Sequence, residues 1–158
     1  MTTMTPRIRA AQASDLEDLT AMRCLLWPTA TEEEHRAELE AYFRGEPLTT
    51  LPHTIFVAEG PESSRTLAGF AEVDLRSHAD GCDPTRPVGY LEGWFVHEQM
   101  RRSGVGAALV HAAEDWARSH GCREMASDTW IDQQVSADAH QALGFEVVDR
   151  CIHFRKAL

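Results

Sequence analysis

The sequence lacks several features that would assign it to a common class of protein. No apolar run in its 158 residues approaches the roughly 18 residues of a membrane-spanning helix, and no apolar leader follows the first residues. We therefore expect a cytoplasmic protein that does not bind a membrane. The four cysteines form no C-x-x-C pair, and no histidine belongs to an H-E-x-x-H cluster. The pattern predicts no metal site, and it favours reduced, packed thiols at Cys24, Cys82, Cys122 and Cys151.

Positive charge is also scarce. Fifteen Lys and Arg residues stand against 25 Asp and Glu, which gives a formal net charge of −10. Such a chain is repelled by nucleic-acid phosphates and by anionic lipid, so the composition disfavours both partners and favours a cationic one. The apolar fraction of 43% is that of a folded globular protein, and the length fits a single domain over residues 1–158.

Hydrophobic periodicity predicts strands that alternate with helices. Capping boxes at 14–17 and 31–34 open two helices after a first strand near Ile8. Further elements are expected as strands at 54–58, 67–75, 88–96 and 122–129, helices at about 106–121 and 136–143, and a closing pair of strands over 145–156. Two glycines inside 88–96 indicate a bulge or a close approach by another group. The order predicts a mixed α/β fold around a central strand, loop and helix.

The loop before the third long helix carries the most informative motif, Arg101-x-x-Gly104-x-Gly106. Glycines let a tight loop direct backbone N–H groups inward, and a helix N-terminus adds about half a positive charge, so the unit suits a pyrophosphate. The motif matches neither a Walker A loop nor the G-x-G-x-x-G dinucleotide loop. On spacing alone, a plain strand-to-helix turn explains the glycines equally well.

The surrounding segments resemble the GNAT superfamily of acyl-CoA-dependent N-acetyltransferases. Within it, three stretches are similar to the aminoglycoside 6′-N-acetyltransferases: Leu-Glu-Gly-x-Phe-Val at 91–96, Gly-Cys-Arg-Glu-Met-Ala-Ser-Asp-Thr at 121–129 and His-Gln-Ala-Leu-Gly-Phe-Glu at 140–146. The resemblance implies a mixed central sheet, splayed between strands 4 and 5 and flanked by helices. It also implies acetyl transfer from acetyl-CoA to an aminoglycoside amine, the 6′-amine in that group.

The resemblance further implies where acetyl-CoA binds. Backbone groups of Phe95 and Val96 would contact the pantetheine arm and the thioester carbonyl, where a backbone N–H would stabilise the oxyanion of the tetrahedral intermediate. The pyrophosphate would be held by the loop residues Arg101, Arg102, Ser103, Gly104, Val105 and Gly106.

Two isolated acidic residues in strand-like runs, Glu92 and Asp128, are candidates for acceptor binding and proton removal. Carboxylates are rarely buried without a partner. By the resemblance both face the cleft between the splayed strands and bind the cationic sugar, and one takes the proton of the attacking amine. From the residues alone, either one faces solvent or pairs with an arginine such as Arg123. Trp27, at a helix end beside a proline, would form an aromatic wall of the same cleft.

His140 stands where many superfamily members carry a tyrosine that protonates the leaving thiolate. A histidine can donate a proton near neutral pH, but a structural hydrogen-bonding role and protonation of the thiolate by solvent remain alternatives.

The resemblance and an uncovered strand edge also suggest a homodimer. Two other functions stay open: acetyl transfer to a polyamine or protein N-terminus, and a catalytically silent acyl-CoA-binding module.

Overall fold

The structure, a computed structural model, describes residues 5–158. A five-stranded sheet runs through it in the order β1-β2-β3-β4-β5. Successive strands pair antiparallel from β1 to β4, and β5 pairs parallel to β4. The strands are β1 (Ile8–Ala10), β2 (His53–Glu59), β3 (Leu67–Arg76), β4 (Val88–Val96) and β5 (Met125–Ser127). The helices are α1 (Leu16–Leu26), α2 (Glu32–Phe43), α3 (Val105–Ser119) and α4 (Gln134–Ala142).

The helices cover the sheet on both faces. On one face, α1 and α2 pack against alternate residues of β2 and β3 around Leu19, Leu39 and Phe70. On the other, α3 contributes Leu109 and Val110 to a second buried cluster. The alternation arises because successive side chains of a strand point to opposite faces. In β3 it places Phe70 on the α1 and α2 face, together with the charged residues that follow it at even positions. None of the helices in residues 5–158 is long and apolar enough to cross a membrane.

The two predicted helix starts have different outcomes. Thr31 caps α2 as expected: its hydroxyl accepts a hydrogen bond from the Glu34 N–H, and the Glu34 carboxylate accepts one from the Thr31 N–H. The capping box predicted at 14–17 is wrong. Asp15 instead accepts the Gln12 N–H and is held by the guanidinium of Arg9, and a short 3₁₀ turn precedes α1. The capping interaction therefore lies between Gln12 and Asp15, two residues earlier than predicted, and an ion pair with Arg9 of β1 accompanies it.

The C-terminal prediction is also wrong in part. The strand expected at 122–129 is only three residues long, and residues 143–158 contain no strand at all. Val148, Ile152 and Phe154 lie exposed, with 61%, 79% and 91% of their surface accessible. Alternating apolar residues predict a strand with one buried face, but the pattern does not say which segment covers that face. Among residues 5–158, no strand pairs with this segment.

Candidate active site

The parallel pair β4 and β5 separates halfway along β4. Their paired residues end at Leu91 and Ser127, where the Ser127 hydroxyl donates to the Leu91 carbonyl at 3.1 Å, whereas β4 continues to Val96. Beyond Leu91 the β5 side of β4 has no strand partner. The splayed sheet expected between strands 4 and 5 is therefore confirmed, and a gap lies beside residues 92–96.

A bulge in β4 and a glycine next to it form one wall of this gap. The pairing of β3 with β4 passes from Leu91 to Gly93 and leaves Glu92 as the extra residue, which redirects its side chain. A Cβ at Gly93 would lie 2.6 Å from the Trp27 ring, so only glycine admits the indole there. The close approach predicted from the strand glycines is thus confirmed, and the approaching group is an aromatic side chain. Trp27 therefore packs against β4 at the residue after Glu92, on the α1 and α2 face of the sheet.

Glu92 pairs with an arginine that the sequence prediction did not name. Arg76, the last residue of β3, donates to Glu92 Oε1 from Nε at 2.9 Å and from Nη2 at 2.5 Å. Its guanidinium carbon also lies 3.4 Å from the centre of the Tyr90 ring. Arg123, the partner suggested by the sequence, does not take this role.

Asp128 lies on the other side of the same aromatic ring. The Tyr90 hydroxyl donates to Asp128 Oδ2 at 3.0 Å, and the aspartate is otherwise exposed. Burial, followed by the charge of Asp128, raises the pKa of Tyr90, so the phenol stays a donor at neutral pH. Glu92 and Asp128 are therefore brought to one region without touching, and the stacked Arg76 and Tyr90 side chains connect them.

A layer of charged residues from β3 lies beneath these groups. Buried Glu72 accepts two hydrogen bonds from Arg23 of α1, at 2.5 and 2.7 Å. Asp74 is 5% exposed and follows on the same face. These residues were missed, although a signal was present. In 72–76 charged and apolar residues alternate inside a strand that reads as buried, which places three charges on a single face.

His140 lies at the gap, but its ring nitrogens are already engaged. Nδ1 donates to the Ser136 carbonyl at 2.7 Å, and Nε2 pairs with the Ser127 hydroxyl at 2.9 Å. The ring packs edge-on against Trp94, with centroids 5.3 Å apart. This arrangement favours the structural role over the role of general acid, because both nitrogens already have protein partners.

The glycine loop ends at the N-terminus of α3, near the open end of β4. Gly104 precedes the helix at φ +85°, and a Cβ at Gly106 would lie 3.1 Å from Trp94, so one glycine permits the turn and the other the close packing. The side chains of Arg101, Arg102 and Ser103 are exposed, and Val105 is buried in the core, which leaves only its backbone for a ligand. The first N–H groups of α3 lack intrahelical partners and can bind an anion.

The end of β4 is tied to this loop. Arg101 Nε donates to the Val96 carbonyl at 3.1 Å, and Phe95 packs its ring against Phe70. The backbone of Phe95 and Val96 therefore follows the gap and ends at the cationic loop. Glu92 therefore lies in the middle of β4, Asp128 lies beside it, and the cationic loop follows the end of the strand.

Three of the four thiols are at least partly buried. Burial raises the pKa of Cys122, and Cys24 and Cys82 are partly buried, as the prediction of packed thiols requires. Cys151 is exposed, so the packing prediction is wrong for that residue, which belongs to the unpaired C-terminal segment. Within residues 5–158, no group of three or more His, Cys, Asp and Glu side chains is arranged to hold a metal ion.

Comparison with known proteins agrees with this geometry. The model of the acetyltransferase (GNAT) family matches residues 19–145. The chain belongs to the GNAT acetyltransferase family. Curated relatives include aminoglycoside N(6′)-acetyltransferases type 1 of Klebsiella aerogenes, 40% identical over 97% of both chains, and of Serratia marcescens, 39% identical over 91% of this chain and 94% of the relative.

Solved GNAT structures give the same result for the fold. The aminoglycoside acetyltransferase AAC(6′)-Iy, solved with the bisubstrate analogue CoA-S-monomethyl-acetylneamine, superposes with a TM-score of 0.83 at 35% identity and covers 98% of this chain and 100% of its own. AAC(6′)-Ih from Acinetobacter baumannii gives a TM-score of 0.83 at 33% identity, over 98% of this chain and 99% of its own. The predicted fold class is confirmed.

Proposed function

We propose that this GNAT enzyme transfers the acetyl group of acetyl-CoA to the 6′-amine of an aminoglycoside and thereby confers resistance to it. The observation that carries the proposal is the near-full-length similarity to aminoglycoside 6′-N-acetyltransferases, one of them solved with a CoA–aminoglycoside analogue. The arrangement of charge supports it. The gap beside β4 has carboxylates at its side and a cationic loop at its end.

The acidic side of the gap suits a polycationic acceptor. Glu92 uses Oε1 for both hydrogen bonds from Arg76, so Arg76 leaves Oε2 for an ammonium group of the sugar. Asp128 is exposed and held in place by the neutral Tyr90 hydroxyl, which leaves its charge available. Trp27 offers an aromatic face beside them for a sugar ring or an ammonium group.

The cosubstrate binds along the other half of the gap. The N–H groups at the start of α3, together with Arg101, Arg102 and Ser103, hold the pyrophosphate of acetyl-CoA, and Gly104 and Gly106 let the loop come close to it. The backbone of Phe95 and Val96 lies where the acyl-bearing arm passes. One N–H there stabilises the oxyanion that forms on the thioester carbonyl, a contribution of about 2.7–4 kcal/mol per donor in other enzymes.

The reaction is a direct transfer without a covalent enzyme intermediate. The acceptor binds as an ammonium ion and must first lose a proton, which Asp128, Glu92 or a water between them accepts. The free amine attacks the thioester carbon and the C–N bond forms. The cationic nitrogen of the tetrahedral intermediate then loses its second proton to solvent, and collapse of the intermediate breaks the C–S bond. The products are the amide and coenzyme A, whose thiolate takes a proton from solvent. His140 keeps Ser127 in position through their hydrogen bond and thereby maintains the shape of the gap.

A panel of acceptors tests the proposal. Coenzyme A release is measured with kanamycin-type aminoglycosides that do or do not carry a 6′-amine, with spermidine, and with a peptide N-terminus. We expect turnover only when the 6′-amine is present. Turnover with spermidine or the peptide alone would support a GNAT enzyme for another amine. Binding of acetyl-CoA without turnover on any acceptor would identify a silent module.

Two carboxylate variants test the site. Asp128→Asn is expected to lower turnover strongly, to weaken aminoglycoside binding and to leave acetyl-CoA binding nearly intact, whereas Glu92→Gln acts mainly on acceptor affinity. Asp132→Asn, the same change at an exposed position four residues on, is the matched control. Full activity in a folded Asp128→Asn protein would remove Asp128 from the mechanism.

The exposed C-terminal segment supports a homodimer. Val148, Ile152 and Phe154 are apolar, unpaired and exposed, and β5 leaves a free sheet edge, so a second copy offers what this chain lacks. Sedimentation equilibrium at micromolar concentration should give twice the chain mass, and Phe154→Asp should shift it toward the monomer. A monomeric wild-type mass would reject the homodimer.

The four free thiols suit a reducing compartment, in agreement with a cytoplasmic enzyme.

A further inference from the structure

Asp74 is a buried carboxyl group that the mechanism above does not use. It lies in β3, directly opposite His53 of β2 and Tyr90 of β4. Only 5% of the residue is exposed. No N–H or O–H in residues 5–158 donates to Asp74 Oδ1, and the nearest cation, Arg76 Nε, is 4.0 Å away. An ionised carboxylate in that position would be poorly compensated.

The carboxyls of Asp74 and Glu92 both lie beside the guanidinium of Arg76, whose Nε is 2.9 Å from Glu92 Oε1 and 4.0 Å from Asp74 Oδ1. An ionised carboxylate is an acceptor only, so a hydrogen bond between the two carboxyls requires one proton. Arg76 does not replace that proton, because its hydrogen bonds go to Glu92 Oε1.

The other titratable groups around Asp74 do not remove the need for a shared proton. Glu72 on the same strand is neutralised by Arg23 of α1. Burial lowers the pKa of His53, so the imidazole facing Asp74 from β2 is neutral at pH 7. From β4, the Tyr90 hydroxyl is directed to Asp128. Burial and the charge of Glu92 raise the pKa of Asp74 to about 7.

We propose that Asp74 and Glu92 share one proton in the free enzyme, and that the pair releases this proton when an ammonium group of the acceptor binds Glu92. The inference rests on the proposed function. It makes Asp74 a positioning residue that acts through Glu92. When the pair holds the proton, it carries one negative charge and the two carboxyls are joined by a hydrogen bond. When the proton is released, the pair carries two negative charges and attracts the cationic acceptor more strongly. Proton and acceptor therefore compete for the site.

The first test measures the affinity for kanamycin by calorimetry, with coenzyme A present, between pH 6 and 7.5. If only the deprotonated pair binds, a group with a pKa of about 7 tightens the apparent Kd about eightfold over this range. Asp74→Asn keeps the shape and can donate an N–H to Glu92, so its Kd should change by the smaller amount that titration of the acceptor amines alone produces. Asp132→Asn should behave as wild type. Equal pH dependence in Asp74→Asn and wild type would overturn the proposal.

The second test needs no acceptor. An Asp pKa raised from 3.8 to about 7 on folding means that the folded state holds the proton more tightly, so stability falls as pH rises from about 4 to 7. Asn at position 74 lacks this loss. The melting temperature of Asp74→Asn relative to wild type should therefore increase from pH 5 to pH 8. A constant difference would show that Asp74 holds no such proton.

The two readouts separate this proposal from the proposed function. If wild type binds no kanamycin at any pH but the melting difference increases with pH, the acceptor assignment fails and the shared proton stands. If kanamycin binds with unchanged pH dependence in both proteins, the shared proton fails and the acceptor assignment stands.

Discussion

A single substitution can break the buried ion pair between Arg23 of α1 and Glu72 of the sheet. It tests how firmly α1, and Trp27 directly after it, are attached to the sheet. Arg23 and Glu72 have side-chain exposures of 3% and 4% and share two hydrogen bonds. Arg23→Met leaves the Glu72 carboxylate buried without a partner. Such a change costs about 3–5 kcal/mol in other proteins. For a chain of this length each kcal/mol lowers Tm by roughly 2–4 °C, so we expect a decrease of roughly 6–20 °C.

The assay is thermal and urea unfolding of Arg23→Met at pH 7, with two matched variants. Glu38→Gln removes only the exposed partner of Arg23 and should cost less than about 1 kcal/mol. Arg23→Met combined with Glu72→Met replaces both charges and should recover most of the loss, because no buried charge is left. A single Arg23→Met variant within about 1 kcal/mol of wild type would refute the reasoning, and so would a double variant as unstable as the single one.

Three further changes test the site. Gly93→Ala places a Cβ 2.6 Å from the Trp27 ring, so it should cost about 1–3 kcal/mol of stability and raise the acceptor KM more than that of acetyl-CoA, as melting and steady-state rates would show. Tyr90→Phe removes the hydrogen bond to Asp128, and kcat/KM for the acceptor should decrease about tenfold or more. Gly104→Ala adds only the strain of φ +85°, whereas Gly104→Glu also adds a negative charge, so calorimetry should find weaker acetyl-CoA binding in the first and none in the second.

The sequence predicted the parts of the fold that depend on local patterns. Helix α2 begins at its capping box, and the strand glycines correctly indicated a close approach at Gly93. Glu92 and Asp128 were singled out because acidic residues interrupt strand-like runs, and they do lie near one another. What could not be predicted is which cation approaches Glu92. Arg76 is distant in sequence, and its position follows from the pairing of β3 with β4.

Other differences arise from contacts that no local pattern contains. The predicted helix start at 14–17 was displaced because Arg9 of β1 holds Asp15. His140 was a candidate general acid from the resemblance, but Ser127 and Ser136 engage both ring nitrogens. The closing strands were predicted only from the alternation of apolar and polar residues. Such alternation shows that one face of a strand would be apolar, but it does not show that the fold provides a strand to pair with it.

The carboxylates around β3 and β4 are compensated in different ways at different depths. Glu72, with 4% of its side chain exposed, has a bidentate arginine. Asp74, at 7%, has no arginine within hydrogen-bond distance and a raised pKa, so a proton replaces the cation. Glu92, at 28%, has Arg76 on one oxygen only. Asp128 is exposed and has a neutral hydroxyl as its partner.

This order follows from the cost of desolvation, which is several kcal/mol per ion in the interior and small at the surface. A deep carboxylate must be paired or protonated for the chain to fold, whereas a shallow one can stay ionised in contact with water. The ionised carboxylates are therefore the shallow ones near the gap, where we propose that the acceptor binds. An excess of ten negative charges is compatible with an anionic cosubstrate, because the N–H groups at the start of α3 follow the end of β4 and can bind an anion there.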